Sequence, residues 1–575
     1  MSRGFVEHAP DEGGGMTGAA LIAEILRREG TEYLFCYPTT QIIEASAKAG
    51  IRPVLCRQER VGVGMADGYT RAKAGRANGV FACQRGPGIE NAFPGIAQAY
   101  AENVPILVLP AATAESSDYL EKRPGWMGKG NRHFSAADVL KPVTKWAGRA
   151  HSVGEIPALM RRAYQAMRSG KGGPALVEVP HDVLEARFEG TLDYVPVPFM
   201  RSGADPHALR EAARRLLEAR TPIIWAGAGV LYSGASAALV ELAELLPAPV
   251  MTTNPGKSAF PEDHPLSLGA GARSYPRHLV EQLRDADLVF AIGSSLTHTP
   301  FGPNIPPGKS IIQCTNDASD INKDYRVDHA VVGDAQLVLE ALLEELRRQR
   351  GSASPARDAK RLGETVRAAK LAWLAEWAKH LDSDEIPINQ YRVLREFQKR
   401  VDPAECIVTH DSGSPREQVL PFWQPTRPGG YLGWGKSTQL GYGLGIIMGA
   451  KMASPDRIGI NFMGDAAIGM TGMDLETAAR NRIGIITVVF NNSVMACERH
   501  VMGYSSEHYQ AIDVGGNYAK LAEALNVAAR RVERPEDLGD AIELALRTAR
   551  ANAPFLLEVI VKEGFDFSQY PLPGL

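Results

Sequence analysis

The sequence predicts an α/β protein of three domains, each built on a parallel β-sheet with helices on both faces. Short β-branched runs that end in glycine alternate with helical patterns, as in the strand-like segments 222–229, 287–295 and 459–465. Such runs are typical of buried parallel strands, and their alternation with helices is typical of α/β folds. A chain of 575 residues is long enough for about three or four domains.

Polar segments divide the chain into three predicted domains, at 16–185, 205–348 and 385–575. The first and third both end in an extended strand, PALVEVP in one and PFLLEVIV in the other. Between the second and third, residues 364–381 have the pattern of an amphipathic helix. This order indicates one α/β plan used twice around a different middle domain.

Composition and charge exclude several classes of protein. Hydrophobic residues make up 45% of the chain and charged residues 22%, which is ordinary globular composition. The formal net charge of −3 argues against bulk nucleic-acid binding and against a polybasic membrane surface. Since no run approaches the roughly 18 consecutive apolar residues of a membrane span, we expect neither nucleic acid nor a membrane among its partners.

The N-terminal segment and the cysteines predict a cytoplasmic protein. Residues 1–18 are polar and glycine-rich, and they lack the basic start and apolar core of a signal peptide. The six cysteines are scattered and form no CxxC pair. We therefore expect reduced thiols and no structural zinc site.

The most informative segment is NFMGDAAIGMTGMDLETAARNRIGIITVVFNNS, at 461–493. It predicts a strand that ends at Gly464-Asp465, a helix around 472–481, and a second strand followed by Asn492. Because neighbouring parallel strands end at the same edge of a sheet, Asp465 and Asn492 are expected close together. A carboxylate and an amide oxygen suit Mg²⁺ that is shared with a diphosphate, and suit zinc or copper poorly. The small residues Gly464, Ala466 and Ala467 let backbone N–H groups approach phosphate oxygens.

A GD segment followed 27 residues later by NN resembles the thiamine diphosphate motif. The resemblance implies that thiamine diphosphate and Mg²⁺ are the cofactors, and that Asp465, Asn492 and the carbonyl of Val494 bind the metal. The family usually has GDG where this chain has GDA.

A second segment, VLCRQERVGVGMADGYTRAKAG, is similar to the family's HE-x-x-A-x-x-M-A-x-G-Y-A-R. The resemblance implies that Glu59 hydrogen-bonds a ring nitrogen of the aminopyrimidine and so promotes loss of the C2 proton of the thiazolium. The competing interpretation is that Glu59 is a solvated surface charge.

Further cofactor contacts are implied by the same resemblance. Gly86, Pro87 and Asn91 match the GPG-x-x-N turn beside the pyrimidine. Leu440 is either the bulky side chain over which the cofactor bends or an ordinary core residue. Ser412, Gly413 and Ser414 follow the strand IVTH and are candidates for a second diphosphate loop.

The domain order resembles the acetolactate synthase-like superfamily, in which two thiamine diphosphate-binding domains flank a Rossmann-like middle domain. This implies an N-terminal pyrimidine domain, a C-terminal diphosphate domain, and a carboligase or lyase (a transferase or a carbon–carbon lyase) that acts on 2-oxo acids. It also implies a homodimer or homotetramer, in which Glu59 comes from one subunit and Asp465 and Asn492 from another.

The segments that would face the substrate depart from acetolactate synthase. Its YPGG loop is CYPTT here, with Thr39 and Thr40, and its SGPG is QRGPG, with Gln84 and Arg85. Its FQE falls on Asn131, Arg132 and His133 of this chain. A basic stretch nearby either faces an anionic substrate, such as a carboxylate or CoA phosphates, or is a solvated loop; it holds Lys122, Arg123, Lys129 and Arg132.

Glu498 distinguishes two groups within the superfamily. The pattern NN-x-x-x-A-x-E-[RK]-H looks like the lyase-type members, and favours a 2-hydroxyacyl-CoA lyase or oxalyl-CoA decarboxylase as the alternative function. A carboxylate there would move a proton to or from the substrate. The competing interpretation is an exposed carboxylate beside Arg499.

The middle domain leaves its ligand open. The FAD segments of acetolactate synthase are replaced by NPGKSAF and GSSLTHT, so FAD, ADP, the adenine of an acyl-CoA substrate and no ligand at all remain alternatives. A catalytically silent, cofactor-binding scaffold also remains, although intact Glu59, Asp465 and Asn492 argue against it. A Rossmann dehydrogenase is weakened because no strand carries GxGxxG with an acidic residue at the right distance.

Overall fold

A computed structural model describes residues 15–38, 40–115, 135–299, 301–351, 357–564 and 566–570. Several of the predicted substrate-facing residues lie outside these ranges: Thr39, Lys122, Arg123, Lys129, Asn131, Arg132 and His133. None of the helices in these ranges is both long enough and apolar enough to cross a membrane. All six cysteines are unpaired, as the sequence predicts.

The N-terminal part of the chain contains a six-stranded sheet in which every neighbouring pair of strands is parallel. The strands of this part are β1 (Met16–Thr17), β2 (Tyr33–Cys36), β3 (Arg52–Leu55), β4 (Val80–Cys83), β5 (Leu107–Ala112), β6 (Trp146–Arg149), β7 (Ala175–Pro180) and β8 (Arg187–Phe188). The helices are α1 (Gly18–Arg28), α2 (Gln41–Lys48), α3 (Glu59–Ala72), α4 (Pro87–Ala101), α5 (Ala136–Val139), α6 (Ile156–Arg168) and α7 (His181–Glu185). The strand order is β3-β2-β4-β5-β7-β6, and β1 pairs separately with β8.

The middle part contains a second six-stranded parallel sheet. Its strands are β9 (Pro222–Ala226), β10 (Val250–Thr253), β11 (Ser267–Gly271), β12 (Leu288–Ile292), β13 (Ser310–Thr315) and β14 (His329–Val332). Its helices are α8 (Pro206–Glu218), α9 (Ala228–Ser233), α10 (Ser236–Leu245), α11 (Arg277–Asp285) and α12 (Ala335–Arg350). The strand order is β11-β10-β9-β12-β13-β14, so successive strands are added on one side of β9 as far as β11 and then on its other side from β12. Ligands of such sheets bind outside the carboxyl ends of the strands at the point between β9 and β12 where this order switches.

The C-terminal part contains a third six-stranded parallel sheet, in the strand order β16-β15-β17-β18-β20-β19. These strands are β15 (Cys406–His410), β16 (Tyr431–Leu432), β17 (Ile458–Gly464), β18 (Ile485–Asn491), β19 (Ala528–Val532) and β20 (Phe555–Ile560). The helices are α13 (Ala359–Leu381), α14 (Gln390–Gln398), α15 (Ser414–Val419), α16 (Tyr442–Ala453), α17 (Asp465–Thr471), α18 (Leu475–Asn481), α19 (Gly503–Tyr509), α20 (Tyr518–Ala524) and α21 (Leu538–Arg550). Short 3₁₀ turns lie at Lys141–Val143, Val153–Glu155, Ala318–Asp320, Pro403–Glu405, Gly472–Asp474, Ala496–Glu498 and Pro535–Asp537.

The long helix α13 connects the middle and C-terminal sheets. It begins at an Asp358 side chain that accepts hydrogen bonds from two backbone N–H groups of the first turn. Trp373 and Trp377 lie on its buried face, and the ring of Trp373 stacks on Phe422 with centroids 4.7 Å apart. The predicted amphipathic helix is therefore confirmed, and its apolar side packs against the C-terminal core.

Two glycine-rich helices, α3 and α16, join the N-terminal sheet to the C-terminal sheet. A Cβ atom on Gly68 would lie 2.0 Å from the carbonyl oxygen of Ile446, and one on Gly449 would lie 1.9 Å from that of Met65. Such distances are far below van der Waals contact, so only glycine allows the two backbones to approach this closely. The start of α3, at Glu59, is thereby fixed relative to the start of α16.

The predicted fold class, parallel α/β sheets with helices on both faces, is confirmed. One element differs: the helix expected around 472–481 is preceded by another, because α17 already begins at Asp465. Buried Ala467 and Ile468 pack this turn against the core, which outweighs the weak helix propensity of its glycine. The domain limits 16–185, 205–348 and 385–575 stay predictions.

Candidate active site

Asp465 and Asn492 lie at the same edge of the third sheet. Strands β17 and β18 pair in parallel with Gly464 opposite Phe490. Asp465 is the first residue after β17, and Asn492 is the first residue after β18. The predicted neighbour relation of the two strands is therefore confirmed.

Hydrogen bonds join these residues into one compact turn. The N–H groups of Asn492 and Ser493 donate to Asp465 Oδ2 at 3.1 Å and 2.7 Å. The Val494 N–H donates to Asn492 Oδ1 at 3.2 Å, and the Val494 carbonyl accepts from the Ala496 N–H at 2.9 Å. The other carboxylate oxygen, Asp465 Oδ1, accepts one hydrogen bond, from the Ala466 N–H at 2.8 Å. Asp465 Oδ1, Asn492 Oδ1 and the Val494 carbonyl each keep a second lone pair, so the turn presents a carboxylate, an amide oxygen and a carbonyl that suit a hard cation. Burial raises the pKa of the Asp465 carboxyl.

The segment Ser412–Ser414 follows β15, which pairs directly with β17. Gly413 has φ +83°, a left-handed conformation that favours glycine. Among the described residues, and apart from the adjacent residues of the chain, no atom lies within 4 Å of the position that a Cβ would take on Gly413 or on Gly464. The two adjacent strand ends therefore border open space into which a phosphate group would fit.

Asp411 is a buried carboxylate directly before this segment. Its Oδ1 accepts from the N–H groups of Ser412 at 2.8 Å and Gly441 at 2.9 Å, and its Oδ2 accepts from Gly443 N–H at 3.0 Å. Burial raises its pKa to about 6. Its only signal in the sequence is an acidic residue placed directly after a buried strand.

Leu440 is half-buried and lies directly before Gly441 and helix α16. Gly441 has φ +84°, so the backbone turns sharply after Leu440. The Leu440 carbonyl accepts a hydrogen bond from Arg60 Nη2 at 2.7 Å. Arg60, which the sequence analysis missed, directly follows Glu59.

Glu59 is buried, with 3% of its surface exposed, and it is the first residue of α3. Burial raises the pKa of its carboxyl, and a hydrogen bond from the Asn91 side chain partly offsets this effect. Gly86, with φ +63°, and Pro87 begin helix α4, which carries Asn91. The structure thus brings Glu59 and Asn91 together, and Glu59 is no solvated surface charge.

Glu498 lies in the 3₁₀ turn Ala496–Glu498 and is half-buried. The Sγ of its neighbour Cys497 lies 3.4 Å from Ser414 Oγ, so this turn contacts the segment after β15. The next residue, Arg499, forms an ion pair with Glu563. Glu498 is therefore near one strand end of the candidate site.

A cavity of about 480 Å³ lies at the carboxyl ends of the middle sheet, and the N-terminal and C-terminal parts also line it. Three residues that line it each have a buried polar atom without a hydrogen-bond partner among the described residues: Trp225 Nε1, Tyr232 Oη and Glu102 Oε2. This volume is within the usual range of ligand sites, and unpaired buried polar groups indicate a bound molecule or water.

Comparison with known proteins identifies the family. Models of thiamine pyrophosphate enzymes match the chain in three parts: the N-terminal TPP binding domain at 16–130, the central domain at 209–342 and the C-terminal TPP binding domain at 411–559. The chain belongs to the thiamine pyrophosphate enzymes. The resemblance to this family, predicted from the motifs, is confirmed.

Similar proteins match over nearly their whole length. A probable 2-ketoarginine decarboxylase from Pseudomonas aeruginosa is 31% identical, over 92% of this chain and 91% of its own. A probable acetolactate synthase large subunit from Methanocaldococcus jannaschii is 28% identical, over 97% and 94%. Glyoxylate carboligase from Escherichia coli O157:H7 is 28% identical, over 95% and 93%. The predicted function, a thiamine diphosphate-dependent enzyme like acetolactate synthase, is confirmed at this general level.

Proposed function

We propose that this protein is a thiamine diphosphate- and Mg²⁺-dependent carboligase or lyase that makes or breaks a carbon–carbon bond beside the carbonyl of a 2-oxo acid. The observation that carries the proposal is the turn that joins Asp465, Asn492 and Val494 at the ends of two adjacent parallel strands. Its donor set is made only of oxygen, as Mg²⁺ prefers.

The residues present fit the cofactor and its metal. Asp465, Asn492 and the Val494 carbonyl would hold Mg²⁺, and diphosphate oxygens would supply further ligands. Backbone N–H groups of Gly464, Ala466 and Ala467 would contact the diphosphate from one strand end. Ser412, Gly413 and Ser414 would do so from the next, and the open space above Gly413 and Gly464 leaves room for it.

Glu59 would hold a proton at a ring nitrogen of the aminopyrimidine. Its raised pKa favours the protonated carboxyl, which can donate such a hydrogen bond. Asn91 would keep the carboxyl oriented, with Gly86 and Pro87 fixing the start of its helix. When bound, thiamine diphosphate supplies a nucleophilic carbon for the substrate carbonyl and an electron sink for the bond that breaks.

Leu440 would support the bent cofactor, and Glu498 would move a proton to or from the substrate. The contact between Cys497, in the same turn as Glu498, and Ser414 supports a position of Glu498 beside the proposed diphosphate site. The catalytic residues in this proposal are thus Glu59 and Glu498.

The substrate that we favour is a 2-oxo acid, because the similar proteins are named for reactions of that kind. The alternative is an acyl-CoA substrate, as in 2-hydroxyacyl-CoA lyase or oxalyl-CoA decarboxylase, and Glu498 supports it. The experiment measures consumption of pyruvate and of other 2-oxo acids by purified protein with thiamine diphosphate and Mg²⁺, and assays acetolactate as the product from pyruvate.

Turnover of any 2-oxo acid supports the proposal. Turnover restricted to CoA thioesters would favour the alternative. Exchange of the C2 hydrogen of the cofactor at the rate of free cofactor would contradict both and leave a silent, cofactor-binding scaffold.

The middle cavity is the proposed place for a nucleotide such as FAD or ADP. Its position at the carboxyl ends of β9 and β12 and its three unpaired polar atoms support this. The absorption spectrum of the purified protein tests for a flavin, and calorimetric titration tests for ADP. If the protein binds neither a flavin nor ADP, the proposal is contradicted.

We also propose a cytoplasmic homodimer or homotetramer, in which each site combines Glu59 of one protomer with Asp465 and Asn492 of its partner. The unpaired cysteines are compatible with a reducing compartment.

A further inference from the structure

The peptide group between Leu440 and Gly441 is held from both sides by charged side chains. Its oxygen accepts a hydrogen bond from Arg60 Nη2 at 2.7 Å. Its N–H donates to Asp411 Oδ1 at 2.9 Å. Both hydrogen bonds are assisted by a charge, and such bonds are roughly twice as strong as neutral ones.

Additional contacts fix the same backbone in position. The carbonyl of Gly441 accepts from Thr471 Oγ1 at 3.1 Å, and Thr471 ends the helix that begins at Asp465. The Gly443 N–H donates to the other oxygen of Asp411 at 3.0 Å. Gly441 itself admits no side chain, because a Cβ there would lie 2.6 Å from Thr471 Cγ2 and φ is +84°.

Gln439 extends this arrangement to helix α4. With its amide oxygen facing Arg60, it accepts from Arg60 Nε at 3.1 Å and Nη2 at 2.8 Å, and its nitrogen donates to the Pro94 carbonyl at 2.9 Å. Arg60 thus contacts two successive residues of the segment before α16, and Gln439 connects that segment to the helix that carries Asn91.

We infer that Arg60 and Asp411 are positioning residues that form a charged clamp on the Leu440–Gly441 peptide and so fix the side chain of Leu440 against the thiamine diphosphate. The inference rests on the proposed function, since Leu440 matters only if the cofactor bends over it. Neither clamp residue needs to touch the cofactor: they act through Leu440, whose side chain otherwise lies on a half-exposed, glycine-containing turn.

If the clamp acts through Leu440, removal of Arg60 should lower the affinity for thiamine diphosphate more than the affinity for inorganic diphosphate. Arg60 hydrogen-bonds the turn at Leu440, and among the described residues it has no hydrogen bond to the proposed diphosphate residues. Its removal should therefore weaken binding of thiamine diphosphate and spare binding of inorganic diphosphate. A side chain that merely stabilised the fold would affect both probes alike.

The test is calorimetric titration of Arg60→Met, Arg60→Lys and the wild-type protein, each with excess Mg²⁺, with thiamine diphosphate and with inorganic diphosphate. We expect Arg60→Met to lose about tenfold or more in affinity for thiamine diphosphate, the usual effect of losing a hydrogen bond to a charged group. Its affinity for inorganic diphosphate should be unchanged. Arg60→Lys, which keeps the charge and one donor, should recover part of the loss.

Arg57→Met is the matched control, because Arg57 lies just before α3, the helix that carries Arg60. Its side chain forms an ion pair with Glu476 at 3.6 Å, away from Leu440. It should bind both probes like the wild-type protein. If Arg60→Met is unstable, Gln439→Met leaves Arg60 in place and should show the same pattern with a smaller factor.

Equal losses for the two probes, or no loss for thiamine diphosphate, would overturn the clamp. Failure of the wild-type protein to bind thiamine diphosphate would instead overturn the proposed function.

Discussion

At the scale of single residues, the surroundings of the Glu59 carboxyl fit a role in proton transfer. It is buried at the start of α3, its pKa is raised, and Asn91 is its hydrogen-bonding neighbour. Glu59→Gln keeps the shape and removes the exchangeable acid, so we expect turnover and C2 hydrogen exchange to fall by about 10²- to 10⁴-fold with cofactor binding retained. Glu44→Gln, at an exposed position of α2, is the control, and an unchanged exchange rate in Glu59→Gln would contradict the role.

Glu498 allows a similar test at the other end of the candidate site. If it moves a proton to or from the substrate, Glu498→Gln should lose about 10²-fold or more in turnover and still bind thiamine diphosphate. Glu507→Gln, an exposed carboxylate on α19, should behave like the wild-type protein. Steady-state rates and calorimetric titration of the cofactor measure both effects, and full turnover in Glu498→Gln would reject the role.

Asp411 should make the stability of the apoprotein depend on pH. Its pKa is raised to about 6 by burial, so the folded state binds a proton more tightly than the unfolded state. The stabilisation from the proton is complete at low pH and is lost as the pH rises from about 4 to about 6. The melting temperature of the wild-type protein should therefore decline across this range relative to that of Asp411→Asn, which cannot ionise. Parallel curves for the two proteins would contradict the shift.

At the scale of helices, the crossing of α3 and α16 depends on the absence of side chains. Gly68→Ala would place a methyl group 2.0 Å from the Ile446 carbonyl oxygen, so the helices must separate. We expect a loss of about 1–3 kcal/mol in the free energy of unfolding, the usual cost of overpacking. Gly469→Ala, in helix α17 with nothing within 4 Å of the new Cβ, should be neutral or stabilising. Urea unfolding of the two variants measures the difference, and equal stabilities would contradict the argument.

Local sequence patterns were sufficient for the parts of the site that lie at strand ends. Asp465 and Asn492 each follow a strand with a clear β-branched run, so their meeting at one edge followed from the parallel order alone. The contact between Arg60 and Leu440 was not predictable in this way, because 380 positions separate the two residues and no motif relates one to the other. The contacts of Asp411 were not predictable for a related reason, since two of its three N–H partners, Gly441 and Gly443, lie 30 and 32 positions along the chain.

At the scale of the whole molecule, one chain carries both halves of the proposed site. Helix α3 begins with Glu59, and the turn before α16 carries Leu440, with Arg60 connecting them. In the proposed oligomer these halves serve different sites, since the glutamate of one protomer meets the diphosphate residues of its partner. A movement of α3 at one site would then shift Leu440 at the other site, through the hydrogen bond from Arg60.

Mixing two inactive variants tests this arrangement directly. Glu59→Gln and Asp465→Asn each lack one half of the site, so neither alone should turn over substrate. In randomly mixed dimers made by co-expression, half of the dimers contain one of each chain, and one of their two sites has both native residues. Activity should therefore return to about a quarter of the wild-type level. A control co-expression of Glu59→Gln with a differently tagged Glu59→Gln should stay inactive. If the mixed variants, carrying two different tags, remain inactive although purification through both tags recovers mixed dimers, each site is built within one chain and the shared-site proposal is wrong.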